Sequence, residues 1–272
     1  MNLDEKLKIS FKRPFEDYKK MLIGMLISAI PIINYLIYGY FIECSNRIFK
    51  KDYKLPDFDD FLRILTNTLV YLLIAIVYFI PFFIVLFITV LELINNANVI
   101  SELVKNLNLE TNTDLLLLFT QLLKEFWPLI LLIVVVAFIT SYLVIIALIN
   151  YSRNYNITDG FKLKEILKFA LNIKFFAFYL LTALYTIFVN VITASLFFWM
   201  PFGKYISSGV AVFITGVTQF TLLSFICSEI IERHEKLHII QKHEKIKHEQ
   251  KAGIIEKKTI SRRTKNKRVK KK

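Results

Sequence analysis

Residues Leu55 to Leu91 decide the fold, and they read LPDFDDFLRILTNTLVYLLIAIVYFIPFFIVLFITVL. From Ile64 to Leu91 this stretch contains no charged residue. A helix needs about 20 apolar residues to cross the hydrocarbon layer of a bilayer, which is about 30 Å thick. The stretch therefore predicts a helix that spans a membrane.

The composition of the whole chain indicates an integral membrane protein. Of the 272 residues, 55% are hydrophobic, and the mean hydropathy is +0.50, whereas only about 45–50% of the residues in a soluble domain are apolar. The 25 phenylalanines and 7 glycines favour lipid-facing helices, because a membrane β-barrel shows segments of about ten residues that alternate in polarity. The sequence therefore predicts an all-α fold.

Five windows of apolar sequence predict the membrane segments. They cover residues 21–42, 64–91, 126–152, 175–203 and 205–231, of which the last is uncharged from Tyr205 to Ser228. We expect an integral membrane helical bundle with four to five membrane segments, occupying a membrane domain at residues 21–231.

The first window decides between four and five segments. It contains Pro31, which lacks a backbone donor and disfavours a helical conformation at Ile30. We expect a re-entrant hairpin that bends between Ile30 and Asn34, with Asn34 bonded to a freed backbone group. The alternative is a single span with a kink at the proline.

A basic amphipathic segment precedes the first window. Residues 1–20 contain six Lys/Arg, and apolar residues fall on one side at helical spacing, namely Leu3, Leu7, Phe11 and Phe15. We expect this segment to lie on the membrane surface, with Pro14 limiting its helix.

Two further cytoplasmic amphipathic surface helices are expected between windows. The first begins at Asp57, whose carboxylate accepts from free backbone amides, and its apolar face holds Phe58, Phe61, Leu62 and Leu65. We expect it to run on the surface and then turn into the membrane. The second begins at Thr158 or Asp159, and its apolar residues are Phe161, Ile166, Leu167 and Phe169.

Similar sequences occur at the ends of the apolar windows that precede these two surface helices. They read ECSNR at Glu43–Arg47 and NYSRN at Asn150–Asn154, and ICSEI at Ile226–Ile230 is a fainter echo. We interpret them as a weak pseudo-repeat of window, surface helix and window. Such repeats occur in transporters, but duplication in a protein that transports nothing produces them equally well.

The distribution of Lys and Arg indicates the orientation in the membrane. If all five windows cross, the better orientation puts 26 Lys/Arg inside and 9 outside, with the N-terminus outside. If the first window enters and returns, 32 lie inside and 3 outside. The positive-inside rule favours the second arrangement. Both predict a multi-pass protein of the cell membrane with a cytoplasmic C-terminus.

Residues 232–272 are expected to form a charged helix and a basic cytoplasmic tail. From Lys257 to Lys272 there are ten Lys/Arg and no acidic residue, and each basic residue near an anionic leaflet contributes about 1 kcal/mol of binding. We expect contacts with anionic lipid head groups from Arg262, Arg263, Lys265, Lys267 and Arg268. Nucleic acid or a ribosome is an alternative partner, although this part of the tail has no aromatic residue for base stacking.

The tail also contains an H-E-x-x-H match at His234, Glu235 and His238, the zinc-protease pattern in which two imidazoles bind the metal. Similar sequences recur nearby as RHEKLH, KHEKIK and KHEQK. The extended zinc-protease motif is absent, because Gln241 and Glu244 occupy its glycine and third histidine positions. We interpret the stretch as a solvated charged helix. The alternatives are a zinc metalloprotease that uses His234, Glu235 and His238, and loose metal binding by His234, His238, His243 and His248. We expect no catalytic residue, cofactor or bound metal.

Two windows carry polar residues on one helix face. They are Thr182, Thr186, Asn190 and Thr193 in the fourth window and Ser208, Thr215 and Gln219 in the fifth. We expect contacts between helices from them, because hydroxyl and amide groups bond across helix pairs in membranes. A substrate path is the alternative, but the uncharged windows lack the ionisable groups that ion-coupled pumps keep at mid-membrane.

Four motifs resemble a known family. They are FKRPFEDYKKMLIG (Phe11–Gly24), IPIINYLIYGY (Ile30–Tyr40), LPDFDDF (Leu55–Phe61) and VYFIP (Val77–Pro81). In their order and spacing the chain resembles the uncharacterised prokaryotic membrane proteins of domain of unknown function 4013. The resemblance implies a multi-pass protein of the cell membrane, and it brings neither an assigned activity nor catalytic residues.

These observations predict a non-enzymatic protein that acts as a membrane-organising or accessory component, with the lipid bilayer and an unidentified protein as partners. Two alternatives stay open. One is a channel or transporter subunit, and the other is an insertase-like protein whose basic tail recruits ribosomes. The charge-free windows count against ion-coupled transport, and the lack of an arginine within them weakens the insertase alternative.

Overall fold

The computed structural model describes residues 1–95 and 112–233 together with Lys236. Within these ranges the chain is all-α and forms eight helices. They are α1 (Leu3–Lys12), α2 (Tyr18–Ala29), α3 (Leu36–Phe49), α4 (Phe61–Asn95), α5 (Asn112–Asn154), α6 (Leu163–Ala170), α7 (Ile173–Phe197) and α8 (Gly203–Arg233). Short 3₁₀ turns lie at Arg13–Phe15, Ile33–Tyr35 and Ile157–Phe161. The predicted all-α fold is confirmed.

Four helices are long and apolar enough to cross a membrane, at Phe61–Glu92, Phe126–Asn154, Ile173–Phe197 and Gly203–Arg233. They correspond to the last four predicted windows, with ends that differ by a few residues. The most apolar part of α8 is 83% buried, whereas the corresponding parts of α4, α5 and α7 are 11%, 22% and 22% buried. α8 therefore occupies the centre, and the other three helices present apolar surfaces outward.

Two compact units divide the chain, Met1–Ile226 and Cys227–Lys272. The first contains α1 to α7 and most of α8. In the second, Arg233 Nη2 donates to Glu229 Oε1 over 3.0 Å, one helical turn earlier.

Glycines allow other helices to approach α8 closely. A Cβ atom at Gly216 would overlap the ring of Phe41 on α3, and one at Gly209 would lie 2.6 Å from the carbonyl oxygen of Met25 on α2. Small residues permit such close contact between helices in a membrane. The sequence of α8 therefore provides the space in which α2 and α3 pack.

α2 and α3 form the arms of a hairpin. Helical structure stops at Ile30, and Ile32 adopts φ 72° and ψ −51°, near the rare γ-turn conformation. Lys20, at the start of α2, lies 2.8 Å from Asp57 Oδ1 and donates to the Leu55 carbonyl over 2.9 Å. The beginning of α2 is thus beside the segment that follows α3, so the two arms run in opposite directions.

The hairpin bends where the proline predicted. The backbone amide of Asn34 donates to the carbonyl of Ile30 over 2.9 Å, whereas its side-chain oxygen is buried without a partner among the described residues. That oxygen therefore accepts no hydrogen bond from a freed backbone group among the described residues. Arms of 12 and 14 residues extend for roughly 18 and 21 Å, less than a bilayer core. The location of the hairpin in a membrane stays a prediction.

The start of α4 differs from the expectation. Residues 52–60 lie outside helices, and α4 begins at Phe61, where Asp60 Oδ1 accepts from the amide of Arg63 over 3.2 Å. Asp57 is not the cap. It pairs with Lys20, whose hydrogen bond and charge hold the pKa of Asp57 below its usual range. The expected surface helix is the first part of α4, which continues without a turn through Pro81.

The second amphipathic helix is α6, and its start also differs. Asn156, not Thr158 or Asp159, caps the preceding 3₁₀ turn by accepting from the amide of Thr158. Ile166 and Phe169 are buried against the bundle, whereas Leu167 faces outward. The apolar residues of α6 are therefore divided between two faces.

Gly39 sets the distance between α3 and α4. A Cβ atom there would overlap the carbonyl oxygen of Ile64 and the side chain of Thr68. We predict that Gly39→Ala forces these helices apart and destabilises the protein by about 1–3 kcal/mol, measured by thermal unfolding in detergent. Gly160→Ala is the matched control, because its Cβ would overlap the end of the Ile74 side chain at 2.7 Å and reach backbone, the Ala147 oxygen, only at 3.6 Å, an ordinary contact. Equal melting temperatures for the two variants would contradict the prediction.

The hairpin predicts that the N-terminus and α6 lie on the same side of the membrane. Asn2→Cys, in a chain with Cys44→Ala and Cys227→Ala, should react with an impermeant thiol reagent only after cell lysis, as Lys164→Cys on α6 should. Lys204→Cys, in the first turn of α8, should react in intact cells. If Asn2→Cys reacts like Lys204→Cys, the first window is a single span.

Candidate functional site: a buried polar cluster

Three serines meet where α3, α5 and α8 converge. Ser45 Oγ lies 2.6 Å from Ser152 Oγ and 2.5 Å from Ser224 Oγ, and all three side chains are fully buried. Ser152 Oγ also bonds to the Ile149 carbonyl, and Ser224 Oγ bonds to the Phe220 carbonyl. Three hydroxyl protons are thus available for four contacts. One contact lacks a proton at any moment, so the bonds among the serines compete with their bonds to the backbone carbonyls.

The serine trio joins the two clear members of the pseudo-repeat. Ser45 belongs to the first motif and Ser152 to the second, and Asn46 Nδ2 adds a bond of 2.6 Å to the Ser152 carbonyl. The third hydroxyl comes from Ser224, two residues before the faint echo at Ile226–Ile230 and one turn before its Ser228. The two repeated sequences therefore contact each other near the ends of α3 and α5.

Arg13 lies beside this trio and is fully buried. Its Nη1 donates to the Cys44 carbonyl over 3.0 Å and to Thr221 Oγ1 over 2.9 Å. Its Nη2 donates to the Lys54 carbonyl over 2.9 Å, while Nε has no hydrogen-bond partner among the described residues. All three acceptors are uncharged, so neutral dipoles stabilise a desolvated guanidinium that would otherwise be very costly to bury.

The N-terminal segment therefore packs differently from the expectation of a surface helix. Its polar residues Lys6, Ser10 and Arg13 are buried, whereas Leu3 and Phe15 are 43% and 44% exposed. Pro14, in the 3₁₀ turn after α1, places Arg13 at the end of this polar stripe. Asp4, Glu5, Lys8 and Lys12 stay exposed, so only part of the polar surface of α1 faces the bundle.

Glu43 forms a second polar contact, between α3 and α4. Its Oε2 accepts from Arg63 Nε over 2.9 Å and from the hydroxyl of Tyr155, the residue after α5. The Arg63 guanidinium also lies 4.6 Å from the centre of the Tyr155 ring. Burial and the bond to Glu43 raise the pKa of Tyr155, so its hydroxyl stays protonated and continues to donate.

Most of the predicted polar residues bond within their own helices. Thr182, Thr193 and Thr215 are buried, while Asn190 and Ser208 are exposed. Carbonyl oxygens of the same helix accept from five of the seven, namely Thr182, Thr186, Asn190, Thr193 and Thr215. The expected bonds between helices therefore come mainly from other residues, including Ser45 and Arg13.

Sequence reasoning missed the hydroxyl stripe that α8 directs into this cluster. Thr218, Thr221 and Ser224 are fully buried, and they recur every three residues. The predicted face instead contained Gln219, which is half-buried. The signal that could have found the stripe is this spacing of hydroxyls within a long apolar window.

The predicted tail contacts fall outside the described residues. These are His234, Glu235 and His238 of the motif and the five basic residues Arg262, Arg263, Lys265, Lys267 and Arg268. Within the ranges that the structure does describe, no group of three or more His, Cys, Asp or Glu could hold a metal ion.

Arg13 should be more important for stability than its neighbour in sequence. Arg13→Gln removes donors from three acceptors in the bundle, so we expect a loss on the order of 3 kcal/mol, measured by thermal unfolding in detergent. The control is Lys12→Gln, because Lys12 is exposed, and its effect should stay within about 0.5 kcal/mol. Equal melting temperatures would mean that burial of Arg13 costs as much as its bonds return.

Comparison with known sequences identifies the family. No curated protein and no solved structure matches the chain. A family model described as protein of unknown function (DUF4013) matches residues 22–198, from α2 to the end of α7. The match includes Glu43, Ser45 and Ser152, but not Arg13 or Ser224. Because it covers more than half of the chain, this protein belongs to the family of unknown function DUF4013.

Proposed function

We propose that this protein is a non-enzymatic accessory component of the cell membrane that organises a partner membrane protein. The observation that carries the proposal is the low burial of α4, whose most apolar part is only 11% buried. A row of exposed apolar residues runs along this helix and is here called the α4 seam. It consists of Leu69, Leu73, Ile76, Ile80, Phe83, Phe87, Val90 and Ile94.

The geometry of the α4 seam supports a helical partner. Its residues alternate at intervals of four and three, which is the spacing along which a second helix packs its side chains. Crosslinking from this row distinguishes a protein partner from lipid. The seam spans most of the length of α4, enough for contact across the whole bilayer core.

The buried polar cluster supports a structural rather than a chemical use of the charged residues. Protein groups hold both Arg13 and Glu43 inside the bundle. On the same proposal, the hairpin is re-entrant, the C-terminus is cytoplasmic, and the five basic residues of the tail contact anionic lipid. The Lys and Arg distribution supports this orientation.

Site-specific photocrosslinking tests the partner. A benzophenone amino acid at Phe83, in the α4 seam, should give one discrete protein adduct in native membranes, which mass spectrometry then identifies. Ile84 is the matched control, because it is equally exposed and at the same depth but outside the seam. Lipid adducts alone at Phe83, or the same protein adducts at both positions, would contradict the proposal.

A channel or transporter subunit is the second candidate. The buried hydroxyls of Thr218, Thr221 and Ser224, next to Arg13, favour it, because polar groups inside a membrane bundle often belong to a pathway. Solute or ion flux through purified protein in vesicles, altered by Thr218→Val, would support this candidate over the accessory role. Unchanged leakage relative to empty vesicles would support the accessory role.

A further inference from the structure

We propose that α6 is a binding site for acidic phospholipid head groups, with Lys164 and Lys168 as the residues that bind them. α6 lies in the connection between two helices that can span a membrane. α5 ends at Asn154 and α7 begins at Ile173, and both can cross a membrane. The connection between them, which contains α6, therefore lies at the boundary between lipid and water.

A row of exposed leucines runs along the outer side of α6. Leu163 and Leu167, together with Leu171 directly after the helix, follow one another at intervals of one helical turn and are 61%, 50% and 84% exposed. Ile166 and Phe169 fill the opposite side against the bundle, at 1% and 4% exposure. A row of leucines turned away from a protein is unfavourable in water but suits the acyl region just below the head groups.

Two lysines lie beside this row of leucines. Lys164 and Lys168 are one turn apart, and each follows a leucine of the outward row, so they lie beside that row. When the leucines enter the acyl region, the lysine ammonium groups reach the level of the lipid phosphates, as long basic side chains do at membrane interfaces.

The positive charges of the two lysines are not neutralised by the nearby acidic residues that the structure describes. Lys164 and Lys168 are exposed and have no ion pair among the described residues, whereas the nearby acids are already engaged. Asp159 pairs with Lys162 over 2.7 Å, and Glu165 lies 3.9 Å from the same lysine. Two uncompensated cations beside an apolar row complement an acidic phospholipid, which offers a phosphate above acyl chains.

Native mass spectrometry in mild detergent tests the proposal with phosphatidylglycerol and phosphatidylcholine of identical acyl chains. The full chain is used with glutamine at the five tail positions Arg262, Arg263, Lys265, Lys267 and Arg268, so that tail binding does not mask the site. This protein should retain phosphatidylglycerol in preference to phosphatidylcholine. The double variant Lys164→Gln/Lys168→Gln should weaken phosphatidylglycerol binding by about tenfold or more.

The control for charge alone is Lys50→Gln/Lys51→Gln, which removes two exposed lysines at the end of α3. Its affinity for phosphatidylglycerol should stay within about twofold of the parent. Leu167→Gln, which keeps both lysines, should also weaken binding, and free glycerol phosphate should not compete. Equal losses in the two lysine pairs, competition by glycerol phosphate, or equal retention of both lipids would overturn the proposal. Thermal unfolding of each variant checks that it is folded.

Discussion

A polar group inside a bilayer must find its partner within the protein, because the hydrocarbon layer offers no water. Inside the bundle Arg13 meets the same demand, since its guanidinium is fully buried and its hydrogen bonds among the described residues all go to neutral oxygens. Those oxygens come from α3, from the segment before α4 and from α8. Three separate parts of the chain must therefore be in place before Arg13 can be buried, and once buried it holds them together.

The serine trio extends the same principle to the last turns of α3 and α5 and to the second half of α8. Hydroxyls are small enough to let helices approach, and they can both donate and accept. Glu43, Arg63 and Tyr155 then join the same helix ends from the side. Polar bonding is thus concentrated at one end of the bundle, while most of the surfaces of α4, α5 and α7 stay apolar and unburied.

The features that could be predicted from the sequence are those with a local cause. An uncharged run long enough to cross lipid predicts a spanning helix, and Pro31 predicts a bend, because neither effect depends on distant residues. The starts of α4 and of the segment before α6 were less predictable. Asp57 and Asp60 are both good caps in isolation, and only the distant Lys20, which pairs with Asp57, decides between them.

The N-terminal segment shows why the polar cluster was harder to predict. A helix with one apolar and one basic face has two stable arrangements at a membrane. It lies on the surface with its apolar face in lipid, or it packs part of its basic face against other helices of a bundle. Both arrangements have the same periodicity, so the pattern of Leu3, Leu7, Phe11 and Phe15 cannot separate them.

What selects the second arrangement is a set of acceptors far away in sequence. The hydroxyl of Thr221 and the carbonyls of Cys44 and Lys54 converge only after α3 and α8 have packed. Without them, burying Arg13 would leave an uncompensated charge, and the surface arrangement would be favoured. The placement of α1 is therefore a consequence of the tertiary structure and not of its own sequence.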